Sequence, residues 1–165
     1  MKYNPDVHHR KSIRLKEYDY LKEGMYFITI CIQDRECILG NIADVGAPDL
    51  WCPEIQLTDI GAIVEEGIMN IGTYYKNVEI VEYVVMPNHI HFVINILSGQ
   101  VGSPAPTVSQ IIHALKVITR KQIGYSIWQR NYYEHIIRNE KELYKIIEYI
   151  KYNPLNWKND SNYKS

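Results

Sequence analysis

The stretch that decides the fold is VEIVEYVVMPNHIHFVINIL, residues 78–97. Its two halves, 78–86 and 89–97, are rich in β-branched residues, which is typical of strands. Only Pro87 and Asn88 separate them, and both residue types favour turns. Because so short a joint can connect only neighbouring strands that run in opposite directions, the stretch predicts an antiparallel pair.

Strand-like and helix-like segments alternate on both sides of this pair. Residues 25–32 predict a buried strand and residues 132–138 a short one. Three helices are predicted to begin at capping residues: Thr58 or Asp59, Thr107 or Ser109, and Asn139. Glu142 extends the last cap into a capping-box-like pattern, and Pro154 stops that helix. We therefore expect a ferredoxin-like α+β fold, an antiparallel sheet with helices packed on one face.

The remaining segments are predicted to be loops and chain ends. Residues 40–53 are rich in Gly, Pro and Asp and predict a loop, and residues 98–106 predict a linker. Residues 1–24 are interpreted as a basic arm and residues 155–165 as a flexible tail. A chain of 165 residues has the length of one ordinary domain, so a single domain spanning 1–165 is expected.

Composition excludes several classes of protein. Hydrophobic residues make up 46% and charged residues 22%, values that exclude disordered and fibrous chains. The apolar runs are too short to span a bilayer, and the N-terminus lacks the apolar stretch of a signal peptide. The three cysteines are odd in number and without CxxC spacing, which favours a reduced, cytoplasmic protein over a zinc ribbon.

Charge is segregated along the chain although the net charge is only −1. Residues 41–82 are rich in acids and hold a single base, whereas residues 101–133 hold bases and no acid. The bases of this acid-free segment and of the arm include Arg10, Lys11, Arg14, Lys116, Arg120, Lys121 and Arg130. This distribution is compatible with one basic face toward phosphates, and equally with two solvated patches of opposite sign.

Two imidazoles lie close together in the second strand of the pair. Since side chains alternate along a strand, His89 and His91 point to the same side, opposite Ile90 and Phe92. Two histidines at this spacing can bind one divalent metal ion. The same pattern is typical of polar residues on the open, solvent-facing side of a sheet, and the spacing alone leaves both interpretations open.

The last predicted helix carries two polar groups on one flank. Tyr149 and Asn153 are four residues apart, which places them one turn apart beside the apolar stripe of the helix. They can meet the two histidines if this helix crosses the same side of the sheet. Each also has an ordinary structural explanation, because most tyrosines pack in cores and asparagine commonly ends a helix before proline.

Taken together, these motifs resemble the single-tyrosine HUH transposases, relatives of the insertion-sequence-200-type enzymes. The run MPNHIHFVI, residues 86–94, is similar to their His-hydrophobic-His motif. WQRNYYEHIIR, residues 128–138, and YIKYNP, residues 149–154, resemble the REP-associated tyrosine transposase branch. The resemblance extends over residues 10–156 and is weakest over residues 37–55.

The resemblance implies a function and a set of site residues. Cleavage and joining of single-stranded, hairpin-bearing DNA would proceed through a 5′-phosphotyrosine, with Tyr149 as nucleophile and no nucleotide cofactor. Tyr152 is the rival nucleophile, but the adjacent Asn153 could not then lie one turn away from it. The implied ligands of a divalent metal, Mg²⁺ or Mn²⁺, are His89, His91 and Asn153.

Other expectations concern the DNA partner and the proton acceptor. The implied DNA-binding residues are Arg10, Lys11, Arg14, Lys116, Arg120, Lys121 and Arg130. Three aromatic residues are expected either to stack on unpaired bases or to pack in the core: Trp128, Tyr132 and Tyr133. Glu148 and His135 are candidates for the general base. A monomer and a homodimer are both compatible with the sequence.

Two functions of other classes also fit the residues. One is a non-catalytic nucleic-acid-binding domain in which the histidine pair is vestigial. The other is a metal-dependent hydrolase in which His89 and His91 serve to activate water.

Overall fold

The structure is a computed structural model that describes residues 23–42, 55–99 and 104–163. Its strands are β1 (Gly24–Cys31), β2 (Gly40–Ile42), β3 (Ile55–Leu57), β4 (Val78–Met86), β5 (His89–Ile96) and β6 (Tyr133–Ile137). Four of them form one sheet in the order β4-β5-β1-β6, and every neighbouring pair is antiparallel. The predicted antiparallel pair around Pro87 and Asn88 is thus confirmed, with Met86 opposite His89.

Three of the four α-helices in the described residues begin at predicted capping residues, and the short helix Ile71–Tyr74 was not predicted. The helices are α1 (Asp59–Met69), α2 (Ile71–Tyr74), α3 (Val108–Ile123) and α4 (Glu140–Tyr152). Thr58, Thr107 and Asn139 each accept a hydrogen bond from a backbone N–H of the following first turn. Each cap satisfies a donor that the start of a helix leaves unpaired.

One face of the sheet forms the main core. It is lined by the even-numbered residues of β1 and β5, which include Ile28, Ile30 and Phe92, all fully buried. Helices α1 and α3 cover this face, and Gly67 lets them approach closely, since a Cβ there would lie 3.0 Å from Leu115 Cδ1. This apolar face fixes the strands and therefore the direction of every side chain on the other face.

Helix α4 covers the opposite face of the sheet. It contacts β4, β5 and β6. Ile150 of α4 is 1% exposed, and Lys151 lies 3.4 Å from the Glu82 carboxylate of β4. The predicted α+β fold is confirmed, with α4 differing from α1 and α3 in the face that it covers. This helix thereby crosses the side of the sheet on which His89 and His91 lie.

Two predictions about irregular segments were wrong in part. The predicted loop at 40–53 begins with a strand, because Gly40–Ile42 pairs with Ile55–Leu57 while the Leu39 N–H donates to the Pro87 carbonyl. The predicted flexible tail contains a 3-10 helix at Trp157–Asn159, followed by Asp160 and Asn162, which accept hydrogen bonds from the side chains of Asn153 and Asn88. Contacts with other segments of the chain decide both structures, and local composition does not report them.

The arm predicted for residues 1–24 lies outside the described residues as far as residue 22. In the part of the chain that the structure describes, no helix is both long enough and apolar enough to cross a membrane.

Candidate active site

The histidine pair of β5 is buried. His89 is 0% exposed and His91 is 2% exposed, and their Nε2 atoms are 2.9 Å apart. The solvent-facing interpretation of this pattern was therefore wrong. Strand alternation does place both rings on one side, but α4 and the segment after it cover that side, which the spacing within one strand does not reveal.

The orientation of His89 is fixed by the turn residue Asn88. The Asn88 side-chain amide donates to the carbonyls of Arg35 and Asn162, at 3.2 and 2.8 Å, so its oxygen must face the other way. That oxygen lies 2.8 Å from Nδ1 of His89. Because an amide oxygen only accepts, Nδ1 carries the proton and the Nε2 lone pair of His89 is left available.

His91 has an equivalent support on the neighbouring strand. Its Nδ1 lies 2.8 Å from Oγ1 of Thr29, which is directly opposite it in the β1–β5 register. A hydroxyl oxygen can accept a hydrogen bond, so the same tautomer is open to His91. Both Nε2 lone pairs can then converge on one point, and such partners of the outer ring nitrogen commonly orient histidine ligands.

The separation of the two Nε2 atoms allows both to bind the same ion. With metal–ligand distances of about 2.0–2.1 Å, two ligands of one divalent ion lie about 2.9–3.3 Å apart. The observed 2.9 Å falls within that range.

Asp160 is a third group that the sequence did not identify. Its carboxylate and the imidazoles of His89 and His91 each offer an atom within 4.8 Å of the others. The backbone N–H of Asn162 donates to Oδ1 at 2.6 Å, and Nδ2 of Asn153 donates to Oδ2 at 3.0 Å. Two imidazoles and a carboxylate form a donor set that suits a divalent cation.

The one signal for Asp160 in the sequence is the pair of aromatic residues around it. Trp157 packs near His89 with ring centroids 5.9 Å apart, and its ring lies 5.2 Å from that of Tyr163. Two large aromatic residues in an otherwise polar tail favour docking over solvation, because their burial removes apolar area from water.

Helix α4 and its C-cap place Tyr149 and Asn153 beside the group formed by His89, His91 and Asp160. The Tyr149 hydroxyl oxygen lies 3.3 Å from Nε2 of His91 and 3.4 Å from Oδ2 of Asp160. Asn153 is 2% exposed, and its Oδ1 is buried without a hydrogen-bond partner among the described residues. An unpaired buried amide oxygen is costly, and a cation would satisfy it. The rival Tyr152 makes no hydrogen bond to either histidine in the described ranges.

Burial keeps the histidines neutral. Desolvation lowers the pKa of His89 to about 4, while the Asp160 carboxylate acts in the opposite sense. Desolvation lowers the pKa of His91 to about 3, and the neighbouring His89 adds to the effect. A neutral imidazole is the form that binds metal, so the pair is in its ligand form at pH 7.

The pKa values of the other two groups, Tyr149 and Asp160, are shifted in opposite directions. Burial raises the pKa of Tyr149, and the adjacent Asp160 carboxylate raises it further, so the phenol is protonated near neutral pH. For Asp160 burial also acts to raise the pKa, but hydrogen bonds from Asn162 and Asn153 and the nearby histidines outweigh it and lower the pKa. Asp160 is thus a carboxylate placed to accept the hydrogen bond of Tyr149.

Two cavities flank Tyr149. The larger, about 410 Å³, extends over β1 toward β6, and the smaller, about 270 Å³, lies beside the segment after α4. Tyr149 and Ser161 line both of them. A chain-like substrate can therefore pass the phenol with a neighbouring group on each side.

The predicted DNA-binding residues lie in different environments. Arg10, Lys11 and Arg14 lie outside the described residues. Arg120, Lys121 and Arg130 are exposed. Lys116 is not a free surface cation, because its Nζ donates to the carbonyls of Gln129 and Arg130 at 2.8 and 3.2 Å. Burial lowers its pKa, and the side chain holds a loop in place.

The predicted aromatic residues and the two candidates for the general base also lie in different environments. Trp128 is a core residue, 6% exposed, with Nε1 donating to Thr119 Oγ1 at 2.8 Å. Tyr133 is 48% exposed and, with Tyr132, lines the larger cavity. The candidate base His135 is engaged with the Glu142 carboxylate at 2.7 Å. Neither it nor the exposed Glu148 hydrogen-bonds to Tyr149 within the described ranges.

Comparison with known proteins found relatives of this chain. It is 39% identical to an uncharacterized protein of Haemophilus influenzae, covering 98% of this chain and 97% of that protein. It is 26% identical to a second protein of that organism, provisionally described as a REP-associated tyrosine transposase, covering 83% of this chain and 73% of the relative. No protein-family model matches.

Solved structures with a similar fold include one that matches most of the chain. It is a REP-associated tyrosine transposase bound to a REP hairpin, with a TM-score of 0.64 and 23% sequence identity. The match covers 87% of this chain and 74% of that one.

Proposed function

We propose that this chain is a member of the REP-associated tyrosine transposase family, which it resembles in sequence and fold, and that it cleaves and rejoins hairpin-bearing single-stranded DNA through Tyr149. The observation that carries this proposal is the 3.3 Å approach of the Tyr149 hydroxyl to Nε2 of His91 in the buried histidine pair. A nucleophile beside a pair of metal-binding groups is the arrangement that metal-assisted attack on a phosphate needs.

The divalent ion would be held by the histidine pair and by oxygen atoms of the segment after α4. His89 and His91 supply nitrogen, Asp160 supplies a carboxylate, and the unpaired Oδ1 of Asn153 supplies an amide oxygen. When bound, such an ion supplies Lewis-acid stabilisation of the negative charge that develops on the scissile phosphate.

The covalent step follows from the position of the phenol. The Tyr149 oxygen attacks the phosphorus and forms a 5′-phosphotyrosine bond, while the bond to the 3′-oxygen breaks. The departing 3′-oxygen takes up a proton and leaves as a 3′-hydroxyl. The proton of Tyr149 is given up toward Oδ2 of Asp160, which already faces the hydroxyl at 3.4 Å. We assign this role to Asp160 rather than to Glu148 or His135, because only Asp160 of the three hydrogen-bonds to Tyr149 among the described residues.

Strand joining is the same step in reverse. The phosphotyrosine is a phosphodiester, so a 3′-hydroxyl from another strand can attack it and release Tyr149. No nucleotide cofactor is needed. The solved relative is bound to a REP hairpin, and we propose the same class of partner here. Exposed Arg120, Lys121 and Arg130 are available for its phosphates.

The proposal is tested by incubating the protein with labelled hairpin oligonucleotides that carry single-stranded flanks, with Mn²⁺ or with chelator. We expect a protein–DNA adduct that survives denaturation, requires the ion and disappears in Tyr149→Phe. Tyr144→Phe is the matched control, because Tyr144 lies on the same helix but is 69% exposed.

Two other outcomes would support the alternatives. Cleavage that persists in Tyr149→Phe without an adduct would identify a metal-dependent hydrolase. Hairpin binding that is indifferent to chelator, with no cleavage of any oligonucleotide, would identify a non-catalytic binding domain.

A further inference from the structure

We propose that the 410 Å³ cavity beside Tyr149 binds and reads one unpaired nucleobase, that of a nucleotide next to the scissile phosphate. This inference rests on the proposed function and adds a base-reading subsite to it. The cavity volume is in the range of sites for small organic ligands.

The cavity has an aromatic floor that neighbouring rings hold in place. Phe27 of β1 stacks on His91 with ring centroids 5.3 Å apart and an angle of 25° between the planes. Its ring also meets Tyr149 and Tyr133 edge-on, at 6.0 and 6.3 Å. Tyr133 is half exposed, so part of its ring surface is open to a ligand. Unpaired bases bind to such surfaces by stacking.

Two side-chain amides lie on the wall of this cavity. Gln129 and Asn131 both line it, and neither side chain makes a hydrogen bond to another described residue. An amide offers a donor and an acceptor side by side, which is the pattern on the edge of a base. Amides that make no hydrogen bond within the described residues, placed next to an aromatic surface, suit the recognition of a base edge.

The loop that carries these amides is anchored at its backbone. Trp128 pairs with Ile32 in an isolated β-bridge, and the Gln129 N–H donates to the Cys31 carbonyl at 3.0 Å. The Lys116 ammonium binds the carbonyls of Gln129 and Arg130. With the backbone of residues 128–130 held in this way, less ordering of the loop is needed when a ligand binds.

The charge of the cavity favours a base over a phosphate as its occupant. Among the described residues, its lining contains no Lys, Arg, Asp or Glu. Away from the ion proposed at His91, a phosphate would lack a side-chain countercharge there, whereas an uncharged base needs only stacking and hydrogen bonds. The cavity shares His91 and Tyr149 with the reaction centre, so its occupant belongs to a nucleotide next to the cleaved bond.

The sharpest test sequences the cleavage junctions formed from a hairpin library whose single-stranded flanks are randomised. We expect the unmodified protein to prefer one base at one position adjoining the cleaved bond. In Gln129→Ala and Asn131→Ala that preference should fall about 10-fold or more, because a base-reading contact is lost. Gln122→Ala, an exposed amide on α3, is the control and should keep the preference.

A second measurement does not depend on cleavage. Hairpins carrying 5-iododeoxyuridine in the flanks are irradiated with the unmodified protein in chelator, and the crosslinked peptides are identified by mass spectrometry. A crosslink at Phe27, Tyr132 or Tyr133 supports the subsite even if no DNA is cleaved, and then only the proposed function fails.

Either of two results would overturn the subsite. One is that cleavage of the library shows no base preference at any position adjoining the cleaved bond, or shows a preference that Gln129→Ala and Asn131→Ala leave unchanged. The other is that the flanks crosslink only outside the cavity. If the protein–DNA adduct still forms normally, these results exclude the base-reading subsite but do not contradict the proposed function.

Discussion

The Tyr149 hydroxyl lies 3.3 Å from Nε2 of His91, although the two residues are 58 positions apart in the chain. The sheet provides one of them and α4 the other. His91 is held by Thr29 from the neighbouring strand, and Tyr149 is held by a helix that packs on that same face. The proposed nucleophile and the proposed metal-binding group are therefore both positioned by regular elements of the fold, as a preorganised site requires.

Removal of the Thr29 hydroxyl should weaken metal binding without removing a ligand. Thr29→Val leaves His91 without the partner of its Nδ1, so its tautomer and ring orientation are no longer fixed. We expect Mn²⁺ affinity to fall about 10–100-fold in a calorimetric titration. Thr73→Val, at an exposed position of α2, is the control. Equal affinity for Thr29→Val and the unmodified protein would contradict the role of this hydrogen bond.

The role of Asp160 predicts a comparable loss from a change in the tail. Asp160→Asn keeps the shape of the side chain but removes the negative charge beside His89 and His91. We expect Mn²⁺ binding to weaken at least about 10-fold and adduct formation to slow, because a carboxylate ligand and proton acceptor is lost. Asp34→Asn, on the exposed 3-10 turn after β1, should change neither quantity. Unaltered binding in Asp160→Asn would exclude Asp160 as a ligand.

The buried histidines predict a fall in stability on acidification. Folding lowers the pKa of His89 from 6.5 to about 4, so below pH 6.5 the unfolded chain takes up a proton that the folded chain does not. In chelator, the free energy of unfolding should decrease from pH 6.5 toward pH 4, by up to a few kcal/mol.

The measurement is urea unfolding at pH 7, 6 and 5, compared with His89→Gln, which lacks the titrating ring. The variant should show a shallower decrease. Identical pH slopes for the two proteins would mean that the histidine is not kept neutral by the fold.

Lys116 and Lys121 should respond differently although both lie on α3. Lys116→Met leaves the carbonyls of Gln129 and Arg130 without their donor, so we expect a loss of about 1–3 kcal/mol in the free energy of unfolding. Lys121→Met removes an exposed charge, so stability should be kept while the salt dependence of hairpin binding falls by about one charge. Urea unfolding and hairpin titrations at several salt concentrations measure both effects, and the reverse pattern would contradict these assignments.

Much of the fold follows from local sequence. The turn at Pro87 and Asn88 decides the antiparallel pair, and the caps at Thr58, Thr107 and Asn139 decide where helices begin, because each depends on residues only a few positions apart. Strand β2 was missed because it has only three residues, of which Gly40 and Asn41 are poor strand formers, and because its partner β3 begins only at Ile55.

The candidate site was only half predictable for a related reason. Periodicity places His89 with His91 and Tyr149 with Asn153, but it does not state which face of the sheet α4 covers. Asp160 lies beside the histidines only because the segment after Pro154 packs against them. Lys116 is held by the Gln129 carbonyl, which lies outside its own helix. Contacts of this kind are long-range and leave no periodic signal.

The central claim is that Tyr149 becomes covalently linked to DNA, and mass spectrometry of the denatured adduct tests it most directly. After nuclease and protease digestion, we predict one modified peptide, carrying a nucleotide as a 5′-phosphodiester on Tyr149 and formed only with the divalent ion. A nucleotide on Tyr152, or cleaved DNA with no modified tyrosine in the protein, would contradict the account.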